Sequence, residues 1–312
     1  MTKKLISIVT ACFNEEENVL EIYERVKRVM SSLEAYTYEH IFIDNASSDK
    51  TVDILRQIAE RDRNVKVIVN TRNFGHIRSP QHALMQARGD AVISIVADLQ
   101  EPPEVIAGFI QKWEEGYKIV IGVKTDSEES ALFFAIRKLY YNIIGKLSEI
   151  NLIKNFTGFG LYDQGVIEIL RQIDDPYPYF RGLICDIGCE RAEIPYSQPV
   201  RRRGFTKNNF YTLYDMAMLG ITNHSKVPLR LATMTGFILA FLSLVMAFGY
   251  FVYKLIFWNS FNMGVAPLII GLFFFSSVQL FFIGIIGEYI GSIHTQVLKR
   301  PRVVEKERIN FD

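Results

Sequence analysis

The chain has 312 residues, 49% of them hydrophobic and 22% charged, and its 35 Lys and Arg nearly balance 34 Asp and Glu to leave a formal net charge of +1. That balance, with no basic stripe interleaved with aromatics, excludes nucleic acid as a partner. Three cysteines, Cys12, Cys185 and Cys189, are an odd number in a chain without secretory context, which makes reduced, mostly buried thiols the expectation, and Cys185 to Cys189 lacks zinc-ligand company.

Met1 to Lys4 run straight into a strand-like stretch, so the reading expects no leader peptide and a soluble part that stays on the cytoplasmic side. Short β-branched runs then alternate with longer amphipathic ones. Leu5 to Thr10 reads as a strand, Glu15 to Leu33 as a helix, His40 to Asp44 as a strand and Ser48 to Ala59 as a helix. Val65 to Val69, Ala91 to Val96 and Ile119 to Gly122 continue the strands, and His76 to Ala87 and Pro103 to Glu115 the helices. This alternation predicts an α/β fold with a mainly parallel sheet and helices on both faces.

In such a sheet ligands bind beyond the carboxyl ends of the strands. The polar residues fall there: Ala11-Cys12-Phe13-Asn14-Glu15 after the first strand, Asp44 to Asp49 after the second, Asn70 to Gly75 after the third and Asp98-Leu99-Gln100-Glu101 after the fourth. Asp44 to Thr51 also reads as a turn with a helix cap, but a cap does not explain an acid at the end of an apolar strand. Asp98 is placed to ligate a hard cation, Mg²⁺ or Mn²⁺, shared with substrate phosphates. His76 is the one histidine near this pocket. No G-x-G-x-x-G follows the first strand and no P-loop sequence occurs, which weighs against dinucleotide and P-loop chemistry.

Arg201-Arg202-Arg203-Gly204-Phe205-Thr206-Lys207 suits either a specific phosphate or the anionic surface of a bilayer. Two segments, Leu132 to Leu147 and Phe210 to Ile221, carry an apolar face at helical spacing and suit either a core or an interfacial plane. Leu231 to Tyr253 and Val265 to Gly287 are uncharged and long enough to span a membrane, for which about 20 residues suffice. Lys226 and Arg230 precede them, Lys299, Arg300 and Arg302 follow, and Trp258 to Gly264 has no charge. The expected topology is therefore a multi-pass protein of the cytoplasmic membrane with both termini inside, Lys254 snorkelling at the outer face. Gly271, Gly284, Gly287 and Gly291 offer small-residue surfaces for packing within or between protomers, hence a homo-oligomer. The expected division is a catalytic domain over 1–206, a juxtamembrane helix over 207–228, a two-helix hairpin over 229–292 and a cytosolic tail over 293–312.

Phe13-Asn14-Glu15-Glu16, Asp44 to Thr51, Arg72-Asn73-Phe74-Gly75, Ala97 to Glu104 and Arg201 to Lys207, in that order and followed by two spans, resemble family 2 glycosyltransferases of GT-A fold. The resemblance is to the polyisoprenyl-phosphate branch related to dolichol-phosphate mannose synthase, in its bacterial form with two C-terminal membrane helices. It implies a nucleotide-sugar donor, a UDP-sugar before a GDP-sugar, and an undecaprenyl-like polyprenyl phosphate acceptor. Ala11, Phe13, Asn14, Glu15, Asp44, Asn73, Gly75 and Gln100 would bind the donor, Asp98 would ligate the metal, and Arg201 and Lys207 would meet phosphate. The chain departs from the pattern at Val96, where relatives often have an acid, at Thr157 to Leu161, where they often read Gly-Asp-Phe-Arg-Leu, and at Ala11-Cys12. A glycan or lipid-diphosphate acceptor, and a non-catalytic membrane scaffold or flippase component, are the other readings.

Overall fold

The computed structural model describes residues 3–125, 153, 155–173, 175–199, 210–257 and 265–311. Among them an eight-stranded sheet runs in the order β7-β5-β6-β4-β1-β2-β3-β8. The strands are β1 (Lys4–Cys12), β2 (Tyr36–Asp44), β3 (Val65–Asn70), β4 (Ala91–Val96), β5 (Ile119–Lys124), β6 (Phe156–Asp163), β7 (Arg191–Tyr196) and β8 (Glu305–Ile309). β4, β1, β2 and β3 are mutually parallel, as the strand-helix alternation predicts. β6 runs antiparallel between β4 and β5, and β8 runs antiparallel on the outer edge of β3.

Period-two alternation splits the core into two layers. Ile6, Ile8, Phe42, Val67 and Ile93 point to one face, packed against α1 (Val19–Ser31), α2 (Thr51–Arg61) and α4 (Ile106–Glu114). Val9, Ile41, Ile43, Ile68 and Val92 point to the other, under α3 (Gly75–Gln86), α5 (Gln164–Gln172) and α6 (Phe180–Asp186). α1 shows how: Val19, Ile22, Val26 and Met30 recur at helical spacing and are its buried residues.

β2 begins four residues earlier than its apolar run. Glu39 lies buried in that extension, accepting from Ser7 Oγ, from Lys66 Nζ at 2.7 Å and from Arg88 N at 3.1 Å. Burial pushes its carboxyl up, but these donors outweigh burial and hold it below the usual range.

After the sheet, α7 (Phe210–His224) leads into α8 (Val227–Ile256) and α9 (Val265–Val297). The apolar windows of α8 and α9 have mean hydropathy 2.2 and 2.1, and neither is buried against the rest of the protein. Thirty residues of helix extend about 45 Å, ample for a hydrocarbon core of about 30 Å. Both helices run past the expected 229–292 limits. The larger difference is the tail, read from sequence as a separate segment over 293–312: residues 305–309 form β8 and complete the sheet beside β3. The predicted helix over 132–147 lies outside the described residues.

Candidate active site

The carboxyl ends of β4, β1, β2 and β3 lie side by side, so their loops share one edge of the sheet. The loops after β1 and β2 are joined by crossed bonds. Asn14 N donates to Ser47 Oγ at 2.8 Å, Ser48 N to Asn14 Oδ1 at 2.8 Å, Glu15 N to Thr51 Oγ1 at 2.9 Å, and Glu16 N to Asp49 Oδ2 at 3.1 Å. Three non-glycine residues adopt positive φ at these strand ends, Asn14 at 55°, Ala46 at 62° and Leu99 at 59°. Left-handed backbone at Ala and Leu is held against about 1–3 kcal/mol of strain each, and such strain gathers where ligands are handled.

Asp44 is fully buried and accepts from both Ser47 N, at 2.9 Å, and Ser47 Oγ. Burial pushes its carboxyl up while the Ser47 bonds pull it down, and burial wins. It is first the anchor of its loop, from whose Ala46 N–H it accepts as well. Ala11 is paired with Val96 on one side and Ile43 on the other. Next to it the Cys12 thiol is buried, and burial, reinforced by Asp44, pushes it up, so it acts as packing. Phe13 is half-buried on the rim. Glu15 Oε2 accepts from Asn18 Nδ2 at 2.6 Å.

Asn45 and Glu101 were not among the site residues drawn from sequence, and both are central. The Asn45 amide donates to Asn73 Oδ1 at 2.9 Å and Gly75 O at 3.2 Å, and its carbonyl accepts from Phe74 N at 2.9 Å and Asn70 Nδ2 at 3.1 Å. It thereby ties the β2 loop to the β3 loop, and Asn73 in turn accepts from Gly75 N at 2.7 Å. Gly75 itself stands at φ 86°. Asn45→Ala should destabilise the protein by about 2–3 kcal/mol, because four groups lose a partner at a mostly buried site. Chemical denaturation checks this.

Asp98 is half-buried just beyond β4, and its Oδ1 accepts from Gln100 N at 3.2 Å. Glu101, three residues on, is buried and accepts from Val96 N at 3.0 Å and Thr157 Oγ1 at 2.7 Å. Burial pushes Glu101 up to about 7 in spite of those bonds. Val96, Glu101 and Thr157 line a cavity of about 330 Å³ together with His76, Gln81 and Arg181, and the buried Gln81 Oε1 has no partner there. The signal for Glu101 in the sequence was an acid between an apolar strand and Pro102-Pro103. Its partner Thr157 lies 56 positions away, beyond any local pattern. Arg201 and Lys207 lie outside the described residues.

Among the described residues no three Asp, Glu, His or Cys side chains converge on a metal. Asp98 alone fits a cation that is also held by a diphosphate, since Mg²⁺ commonly takes one or two carboxylates plus substrate phosphates.

The description "Glycosyl transferase family 2" matches residues 7–169, which hold every one of these loops. The SfII prophage-derived bactoprenol glucosyl transferase of Shigella flexneri is 33% identical over 97% of this chain and 97% of its own. The chain belongs to glycosyl transferase family 2. A prophage bactoprenol glucosyl transferase homolog of Escherichia coli K12 is 32% identical over 96% of this chain and 98% of its own, and an uncharacterized glycosyltransferase of Synechocystis sp. is 33% identical over 95% and 93%. Among solved structures, glucosyl-3-phosphoglycerate synthase from Mycobacterium tuberculosis, in complex with Mn²⁺, UDP and phosphoglyceric acid, superposes with a TM-score of 0.50 at 18% identity, covering 70% of this chain and 76% of that one. At that identity the likeness establishes the GT-A fold.

In this family 2 glycosyltransferase Glu101 gives a pH signature. A carboxyl raised from 4.5 to about 7 binds its proton more tightly folded than unfolded, so the contribution of Glu101 to stability is fully present below about pH 4.5 and is lost as pH rises to about 7, by roughly 3 kcal/mol at most. Glu101→Gln should flatten that window, with Thr157 Oγ1 turning to accept from the new amide. Thermal unfolding of both proteins across the range measures the difference, and parallel curves would remove Glu101 as the cause.

Proposed function

We infer that this glycosyltransferase moves a hexose, glucose in the first instance, from a UDP-sugar to a polyprenyl phosphate of the bactoprenol type. The observation that carries the reading is the end-to-end likeness to bactoprenol glucosyl transferases, which extends past the catalytic sheet through both apolar helices. The site is compatible with it. Asp44 and the crossed loops after β1 and β2 would receive base and ribose, with Ala11, Phe13, Asn14, Glu15, Asn73 and Gly75 around them. Gln100 and Asp98 would face the diphosphate, and the cavity lined by Glu101, Gln81 and His76 offers hydrogen-bonding groups to sugar hydroxyls.

In the reaction an oxygen of the lipid phosphate attacks the anomeric carbon. The bond from that carbon to the diphosphate oxygen breaks with its electron pair leaving on UDP, and configuration inverts. A phosphate monoester has a second pKa near 6, so it arrives largely as a dianion and needs no general base. The protein's part is alignment and charge: Asp98 would hold the cation that meets the diphosphate, and Arg201 and Lys207 would support phosphate. A divalent cation, when bound, would neutralise the departing diphosphate.

We further infer that α8 and α9 cross the cytoplasmic membrane as a hairpin with both ends inside. Lys226, Arg230, Lys299, Arg300 and Arg302 flank the inner ends. The return of β8 to the sheet that β3 belongs to requires an even number of crossings. Transfer of radiolabelled glucose from UDP-glucose into an organic-extractable product released by mild acid tests the chemistry. Label that resists mild acid would point to a glycan acceptor, and no label from any UDP- or GDP-sugar would sink the reading.

A further inference from the structure

A cavity of about 450 Å³ opens where the inner end of α9 and the segment leading to β8 meet the loop before α3. Its lining includes Arg72, Arg78, His294 and Arg300, and no carboxylate. A second cavity of about 470 Å³, on the part of α9 that faces α7, has the opposite character: Asp175, Asp215 and Glu288 line it, with no Lys or Arg. Only the first suits an anion.

Arg72 is engaged by the protein, donating to Asn73 O at 3.1 Å and lying 4.0 Å from the centre of the Phe74 ring, whereas Arg78 and Arg300 are less engaged among the described residues. Arg78 Nε is buried without a hydrogen-bond partner, its guanidinium lying 5.1 Å from the centre of the Tyr177 ring. Arg300 is exposed and forms no ion pair among the described residues. Arg302, two residues on, is turned to the protein: it donates to the carbonyls of Asp175 at 3.0 Å and Ile173 at 2.7 Å, which pins this segment to the catalytic domain and fixes the wall that Arg300 and Pro301 form.

We propose that this cavity binds the phosphate headgroup of an anionic phospholipid of the inner leaflet, at a site apart from the donor pocket. The argument is charge, position and size together. Guanidinium forks match phosphate oxygens, the cavity abuts the end of an apolar helix that runs to Val297, and its volume suits a headgroup. The inference rests on α8 and α9 lying in a bilayer. Free phosphate and the polyprenyl phosphate acceptor share the chemistry, so the test must separate them.

Native mass spectrometry of the full-length protein in detergent, offered phosphatidylglycerol or phosphatidylcholine, reads the preference directly. Wild type should retain phosphatidylglycerol, and Arg78→Gln with Arg300→Gln should weaken that retention about thirtyfold while UDP affinity stays unchanged. Arg300→Gln alone, at an exposed position without an ion pair among the described residues, should give a smaller loss of about fivefold and guards against misfolding of the double variant. Equal retention of the two lipids, or unchanged retention in the variants, overturns the proposal. So does displacement of the lipid by millimolar inorganic phosphate, which would make this a free-anion site, or displacement by polyprenyl phosphate at far lower concentration, which would make it the acceptor site. A protein that stays soluble without detergent would instead refute the membrane reading, whereas one that needs detergent and shows no headgroup preference refutes the site alone.

Discussion

Asp98→Ala should lower sugar transfer about a thousandfold, equivalent to about 4 kcal/mol of transition-state stabilisation. The size follows from how little else is present. Val96 occupies the position two residues before Asp98 and has no donor atom, and Glu101 has its oxygens turned to Val96 N and Thr157 Oγ1. Among the described residues no second carboxylate is placed beside Asp98 to take over the proposed metal site. The same solitude gives a readout independent of turnover: Mn²⁺ should bind weakly to the protein alone, more tightly in the presence of UDP, and in Asp98→Ala the UDP-dependent gain should vanish. Titration calorimetry with and without UDP measures it. A variant that keeps wild-type transfer, or keeps the gain, would show that Asp98 is not the ligand.

The second large effect is expected from the C-terminus. Deleting residues 303–312 should destabilise the catalytic sheet by about 5 kcal/mol. It removes buried Val303, the bonds from Thr71 N and Oγ1 to Val304 O at 3.0 and 3.1 Å, and the Arg56–Glu307 pair at 2.7 Å. It also removes the Asn310 amide, which donates to both Ala59 O and Val65 O at 2.8 Å. The exposed ion pair contributes least. Loss of β8 leaves β3, with its apolar Val65–Val69 run, as a bare edge, so aggregation should rise with the loss of stability. Unfolding curves and light scattering follow the two effects. Asn310 stands at φ 60°, so Asn310→Gly keeps the backbone favourable and reports the side-chain bonds alone, about 1–2 kcal/mol, whereas Asn310→Ala adds strain. Truncation without loss of stability would mean that β3 is held by β2 and its helices alone.

The central half of the sheet was legible because its strands obey a local rule. Val65 to Val69 and Ala91 to Val96 are apolar runs bounded by polar loops, and the structure gives strands there within a residue. The rule failed where polar residues are buried by partners distant in sequence, as Glu39 is by Ser7 and Lys66, so β2 was read four residues short. It failed again for β8, whose Glu-Lys-Glu-Arg-Ile carries charges outward on an edge and looks like any solvated tail. At the site, Asp44 and Asp98 stood out as acids ending apolar strands. Asn45 did not, because its role is a set of bonds to Asn70, Asn73, Phe74 and Gly75 that exists only once β2 and β3 are neighbours.

The edge strand has a mechanical consequence. A domain joined to its membrane anchor by one linker can swivel like a flag on a pole. Here the polypeptide leaves toward α8 and returns from α9 to be stitched into the opposite margin of the same sheet, through Arg302 and β8. With two attachment points, free swivelling about one is replaced by hinging about the line that joins them. With the proposed lipid acceptor confined to a plane, that would limit how far the loops bearing Asp44 and Asp98 tip away from it, and would shorten the search that each lipid must make before reaction.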